Sequence, residues 1–210
     1  MSQVTQRPTT FQPTAVLAVY LGLVWFSCPT SAEEWNRFRG PNGSGLSDAS
    51  TVPTEWSDED YNWVVELPGK GNASPISWGR NVFVASADEK AQTRTLQCLN
   101  VADGAEVWRK DIPFEPYKQH KNNSFASSTP TADADLVYVL WHSKVSSPLI
   151  AYNHSVRKVW EYDLGPYLHG QGGATSPIVY DDVVLVANDH QAGSYLLAVD
   201  RLTGKERWNV

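Results

Sequence analysis

Sulfur is scarce in this chain, whose 210 residues hold two cysteines and one methionine. Cys28 lies at the end of a leading apolar segment, so Cys98 stands alone in the remainder. A disulfide framework is thereby excluded, and a thiol set in an apolar strand reads as structural. Positive charge is also short. Seventeen basic residues face 23 acidic ones, a formal charge of −6. No basic cluster occurs, which argues against nucleic acid as a partner. The apolar run "TAVLAVYLGLVWF" at Thr14–Phe26 has 13 residues, fewer than the ~20 a membrane-crossing helix needs. No H-x-x-x-H spacing, G-x-S-x-G, P-loop or post-strand G-x-G-x-x-G is present, so zinc, nucleophile-elbow and dinucleotide chemistry lack a signature.

The same run, with Arg7 before it and "PTSA" after it, has the layout of a secretory signal peptide over 1–32, cleaved after Ala32. That places the mature chain in the periplasm or cell envelope, with no transmembrane span left. An uncleaved anchor is the other reading. Lipidation at Cys28 fits poorly, because Trp25 and Phe26 replace the small residues that usually approach such a cysteine. Residues 33–61 are rich in Gly, Ser and Asn and read as an extended lead-in.

Tryptophan is abundant: there are nine. Trp63, Trp108, Trp160 and Trp208 fall 45, 52 and 48 residues apart. A second landmark keeps phase with them, a Ser or Thr followed by Pro at Pro75, Pro130 and Pro177. After each Pro comes strand, tight turn and strand, as in "ISWGRNVFVASAD", "TADADLVYVLWHS" and "IVYDDVVLVANDH". A second hairpin then ends in the tryptophan. Self-similarity at this period marks a four-stranded propeller blade. The fold class is all-β, with blades predicted over about 71–112, 126–165 and 174–210 of a propeller region 62–210. An orphan strand at 62–67 carries Trp63.

"LLAVDRLTGKERW" at Leu196–Trp208 and "CLNVADGAEVW" at Cys98–Trp108 resemble the repeat of the pyrroloquinoline-quinone (PQQ) propeller family. "AYNHSVRKVW" keeps the frame without Thr-Gly. The resemblance covers the whole chain after the leader and implies a seven- or eight-bladed propeller of antiparallel four-stranded blades. Trp63, Trp108, Trp160 and Trp208 would dock between blades. The family includes quinoprotein alcohol dehydrogenases and the cofactor-free propeller lipoprotein of the outer-membrane β-barrel assembly machinery. On this reading the chain is an incomplete, N-terminal part of about three blades. A short form that closes by self-association through the open propeller edge is the alternative.

Strand bookkeeping puts the segments before each Ser/Thr-Pro and after each second strand on one face. Asn72, His120, Asn122, Asn123, His142, His169, Gln171 and His190 gather there as candidates for ligand or partner binding, with His154 on the opposite face. No catalytic, metal or cofactor-binding residue is assigned. The resemblance attaches a vicinal Cys-Cys pair, a tryptophan floor and an Asp beside calcium to the dehydrogenases. None of these is legible here, so PQQ is unsupported by the residues present. The expected function is therefore an exported, non-catalytic scaffold with a protein partner. A PQQ-dependent dehydrogenase whose cofactor site lies in blades absent from this chain is the alternative.

Overall fold

The computed structural model describes residues 34–191 and 193–210, so the signal-peptide reading and Cys28 lie outside the described residues. Three antiparallel meanders follow in sequence. The first is β1 (Ile76–Trp78), β2 (Asn81–Asp88), β3 (Thr93–Asn100) and β4 (Glu106–Pro113). The second is β5 (Thr131–Ala132), β6 (Leu136–Leu140), β7 (Pro148–Asn153) and β8 (Lys158–Asp163). The third is β9 (Ile178–Tyr180), β10 (Val183–Asn188), β11 (Tyr195–Asp200) and β12 (Glu206–Asn209). Each sheet keeps its strands in chain order. The first strands β1, β5 and β9 lie beside one another and line the inner side. Each of the three sheets therefore has the order of a propeller blade.

The three blades superpose in register. Ile76, Phe83, Cys98 and Trp108 form one row across the first blade. Thr131, Tyr138, Ala151 and Trp160 form it in the second, and Ile178, Leu185, Ala198 and Trp208 in the third. A β-bulge follows the row's third residue each time, at Cys98/Leu99, Ala151/Tyr152 and Ala198/Val199. The bulge bends the outer hairpin and aims the tryptophan across the row. Cys98 is thus the small residue beneath a tryptophan, where its counterparts are alanines. Burial pushes its thiol up to about 12, as suits an unreactive position.

Packing between blades makes the core. The first row meets Val137, Val139, Ile150 and Tyr152 of the second blade. Tyr138, Ala151 and Trp160 meet Val184, Val186, Leu197 and Val199 of the third. A ring the size of the fully buried Tyr138 contributes about 4–6 kcal/mol of gross burial. With neighbours on both sides, the central β6 is buried at all five positions, which explains its unbroken "LVYVL". β10 is as apolar, yet only alternate residues are covered. Its other face belongs to the third row, where Ile178 is 38% and Trp208 41% exposed.

Both sequence landmarks acquire a bond. The N–H of Ser74 donates to Thr129 Oγ1, and the N–H of Thr129 to Ser176 Oγ, each at 3.0 Å. Each hydroxyl just before a proline thus holds the preceding blade's backbone. The indole N–H of Trp63, Trp108 and Trp160 donates to the carbonyls of Val101, His154 and Arg201 at 2.9, 2.8 and 2.9 Å. Each acceptor follows the Asx residue (Asn100, Asn153, Asp200) that opens the third-to-fourth strand turn. Trp208 meets no such turn among the described residues.

The orphan strand is not formed. Residues 62–67 pair with no strand among the described residues. What organises the segment is Trp63, seated on the turn at Gly104, where an added Cβ would come to 2.6 Å from its ring.

No described helix is long and apolar enough to cross a membrane.

Candidate ligand and partner face

The loops before the inner strands converge because those strands do. Asn72 donates its amide to Asn122 O at 3.0 Å. Asn123 donates to Gln171 O at 2.7 Å, and the N–H of His120 reaches that carbonyl at 3.4 Å. His120 Nδ1 accepts the N–H of Asn122, and His169 Nδ1 accepts that of Gln171, at 3.2 and 3.1 Å. Two loops of equal design, His-x-Asn and His-x-Gln, therefore lie side by side from successive blades. Asn72, His120, Asn122 and Gln171 are exposed, and Asn123 and His169 half-buried. Asn123 also accepts from Ser124 N–H and Ser127 Oγ, so part of its work is to fold its own loop.

His142 departs from the expectation of a presented loop residue. It is 4% exposed, its ring 4.5 Å from the Tyr167 ring and pressed where a Cβ on Gly173 would stand. The apolar run of β6 continues through Trp141 into His142, which carries both inward. Burial lowers its imidazole to about 4, with Arg94 and His190 acting the same way and the Thr175 backbone partly offsetting them. His190 and His169 flank the same Tyr167 at 5.3 and 6.2 Å. His154 is on the opposite face, its Nε2 2.9 Å from Asp133 O in the neighbouring turn.

The lead-in contributes more than the sequence suggested. Glu34 accepts the N–H of Gly79 at 2.9 Å. Trp35 O accepts the N–H of Ser77 beside β1, and Asn36 O accepts the N–H of Ala132 in β5, both at 2.9 Å. The Asn36 side-chain amide returns a bond to Ala132 O at 3.0 Å. Farther on, Arg37, Phe38 and Arg39 share a 430 Å³ cleft with Ala174–Ile178, at the start of β9. Consecutive residues of "WNRFRG" thus step from one inner strand to the next.

Sequence reasoning also passed over Arg94. It sits within β3, 3% exposed, between the rings of Phe114 and Trp141 at 4.6 and 5.6 Å. A lone cation in "TRTLQCL" was the available signal.

The inner strands β1 and β5 are hydrogen-bonded by Trp35 and Asn36, and no group of three His, Cys, Asp or Glu among the described residues could hold a metal.

Known proteins place this geometry. No curated protein matches the chain. Among solved structures, a quinohemoprotein alcohol dehydrogenase from Comamonas testosteroni superposes with a TM-score of 0.55 at 16% identity, over 85% of this chain and 27% of that one. BamB from Moraxella catarrhalis gives 0.44 at 17% identity, over 71% and 54%. A europium-containing methanol dehydrogenase gives 0.48 at 17%, over 65% and 24%. The chain thus spans about a quarter to a half of the length of these structures. The first of these, at 16% identity, speaks for the fold alone. The family model described as outer membrane protein assembly factor BamB matches residues 29–210. The chain belongs to that family.

Proposed function

We propose that this chain is part of an exported, non-catalytic β-propeller of the cell envelope that binds a protein partner on its loop-bearing face. The observation that carries the reading is the lead-in. The inner strands are the wall on which a cofactor at the axis would rest, and here the chain's own Trp35 and Asn36 bond to two of them. The exposed loops around His120 and Gln171 remain available for contact, and such loops on a rigid scaffold are where binding concentrates. Membership in the assembly-factor family supports a scaffold role as well. A quinone dehydrogenase is the competing function.

The two separate in one experiment. The chain is incubated with PQQ and calcium, desalted, and its absorbance recorded. The scaffold reading expects no retained quinone, and a stoichiometric quinone band overturns it. In parallel, Asn122→Ala with Gln171→Ala, whose side-chain amides make no hydrogen bond among the described residues, is expected to abolish partner capture from the envelope fraction at unchanged melting temperature. Undiminished capture would move the contact elsewhere.

A further inference from the structure

A cavity of about 460 Å³ opens between the first two blades, walled by Ile112, Phe114 and Pro148 and reaching Arg94 and Trp141. Its size is that of a small-molecule site. The unusual feature is its donors. Arg94 has no carboxylate partner among the described residues; its guanidinium bonds to the His142 carbonyl and leaves Nε without an acceptor. Trp141, 1% exposed, likewise leaves its indole N–H unmatched. A buried cation and a buried donor without acceptors are each unfavourable unless something supplies the missing oxygens. Tyr117, beside the guanidinium, gives it one hydrogen-bonding oxygen while its hydroxyl donates to the same His142 carbonyl at 3.1 Å, yet Arg94 Nε still lacks an acceptor.

The repeat shows that the blade itself does not require this arginine. Counted back from the row residues Cys98, Ala151 and Ala198, the position of Arg94 is Ser147 in the second blade and Ser194 in the third. Both of those blades form the same sheet with a serine. Arg94 is therefore a departure from the fold's own pattern, and a cavity opens beside it. Desolvation lowers it to about 10, as follows from a cation lacking a counter-charge.

We propose that this cavity binds a small organic acid: a carboxylate paired with Arg94, carried on an aromatic or branched apolar body that fills the space against Ile112 and Phe114, with Trp141 in the lining. Lys144 at the exposed rim adds a second positive charge, opposed by Glu115. Apolar walls with one charged anchor select for a body as well as a charge. The site lies apart from the His120 and Gln171 loops and does not depend on the scaffold reading.

The test uses phenylacetate as probe, with acetate (charge without body) and phenethylammonium (body with the opposite charge) as controls, on the full chain. Binding is followed by calorimetry and by the indole N–H resonance of Trp141 in a ¹H–¹⁵N spectrum, assigned with Trp141→Phe. Saturable phenylacetate binding that shifts this resonance, with neither control binding at millimolar concentration, is the expected result. Arg94→Met should weaken binding at least about tenfold, the loss of a charge-assisted pair. Should Arg94→Met fail to fold, Lys144→Glu, exposed and harmless to packing, should still weaken binding about threefold. No saturable phenylacetate binding, an unmoved Trp141 resonance, or equal affinity in the folded variants overturns the proposal.

Discussion

The backbone N–H of Ser74 donates to Oγ1 of Thr129 at 3.0 Å, and Thr129 in turn donates its own N–H to Ser176. A Ser/Thr-Pro pair that looks in sequence like a turn signal is thus a stitch between inner strands. Thr129 is almost wholly buried. Replacing it with valine keeps the shape and removes the acceptor, leaving the Ser74 N–H unmatched. Thr129→Val should lower stability by about 1–3 kcal/mol, and Thr129→Ser by less than half as much. Urea unfolding measures both, and equal losses would assign the effect to packing.

A second stability change should be a gain. Val156 has φ 65°, where its counterparts Gly104 and Gly204 have φ 69° and 70°. The middle blade's turn is one residue shorter, closing from Val156 N–H to Asn153 O where the others close from Gly104 and Gly204 to Asn100 and Asp200. A β-branched residue in the left-handed region is strained. Val156→Gly should stabilise by about 1 kcal/mol, the relief exceeding the entropy that glycine adds to the unfolded chain. Gly204→Ala should do the reverse, since its Cβ would come 2.7 Å from the Trp160 ring. Thermal melts of the two variants should move in opposite directions.

Acid should act through His142. Its folded-state value of about 4 lies below the ordinary 6.5, so between these limits the unfolded chain holds a proton that the folded chain refuses. Its contribution is full above pH 6.5, declines as pH falls, and is lost by about pH 4, a change of about 3 kcal/mol. His142→Phe keeps a ring against Tyr167 and removes the titration. Unfolding free energies at pH 7 and pH 4.5 should differ less in the variant than in the parent, and an identical difference would show that His142 does not titrate in this window.

The third row supplies a prediction about association. Ile178, Leu185 and Trp208 stand at the row positions of the first two blades, and here Ile178 and Trp208 are exposed and Leu185 half-buried. Exposed apolar surface of this kind drives association. Light scattering should show mass rising with concentration, and Ile178→Lys, a charge in the middle of the row, should hold the chain monomeric. A parent that stays monomeric would show the row to be tolerated in water.

Alternation and period were enough to establish the blades, because both are local. Strand pairs, Asx turns and the spacing from proline to tryptophan are written within 50 residues of one another, and β1 to β12 form three four-stranded sheets in chain order. Trp63, Trp108 and Trp160 were legible as docking residues for the same reason. Three features depended on the packed molecule. Residues 62–67 have the composition of a strand but no partner among the described residues, since a ladder needs a neighbour that composition cannot provide. His142 is polar and follows a strand, yet Tyr167 and Gly173, more than 20 residues away, close over it. Arg94 is one cation in a strand until Phe114, Trp141 and an open cavity surround it. Hydrophobic pattern determines which elements form, because it acts along the chain. Where a polar group ends up, in water or in the dark between blades, is decided by distant residues meeting in space.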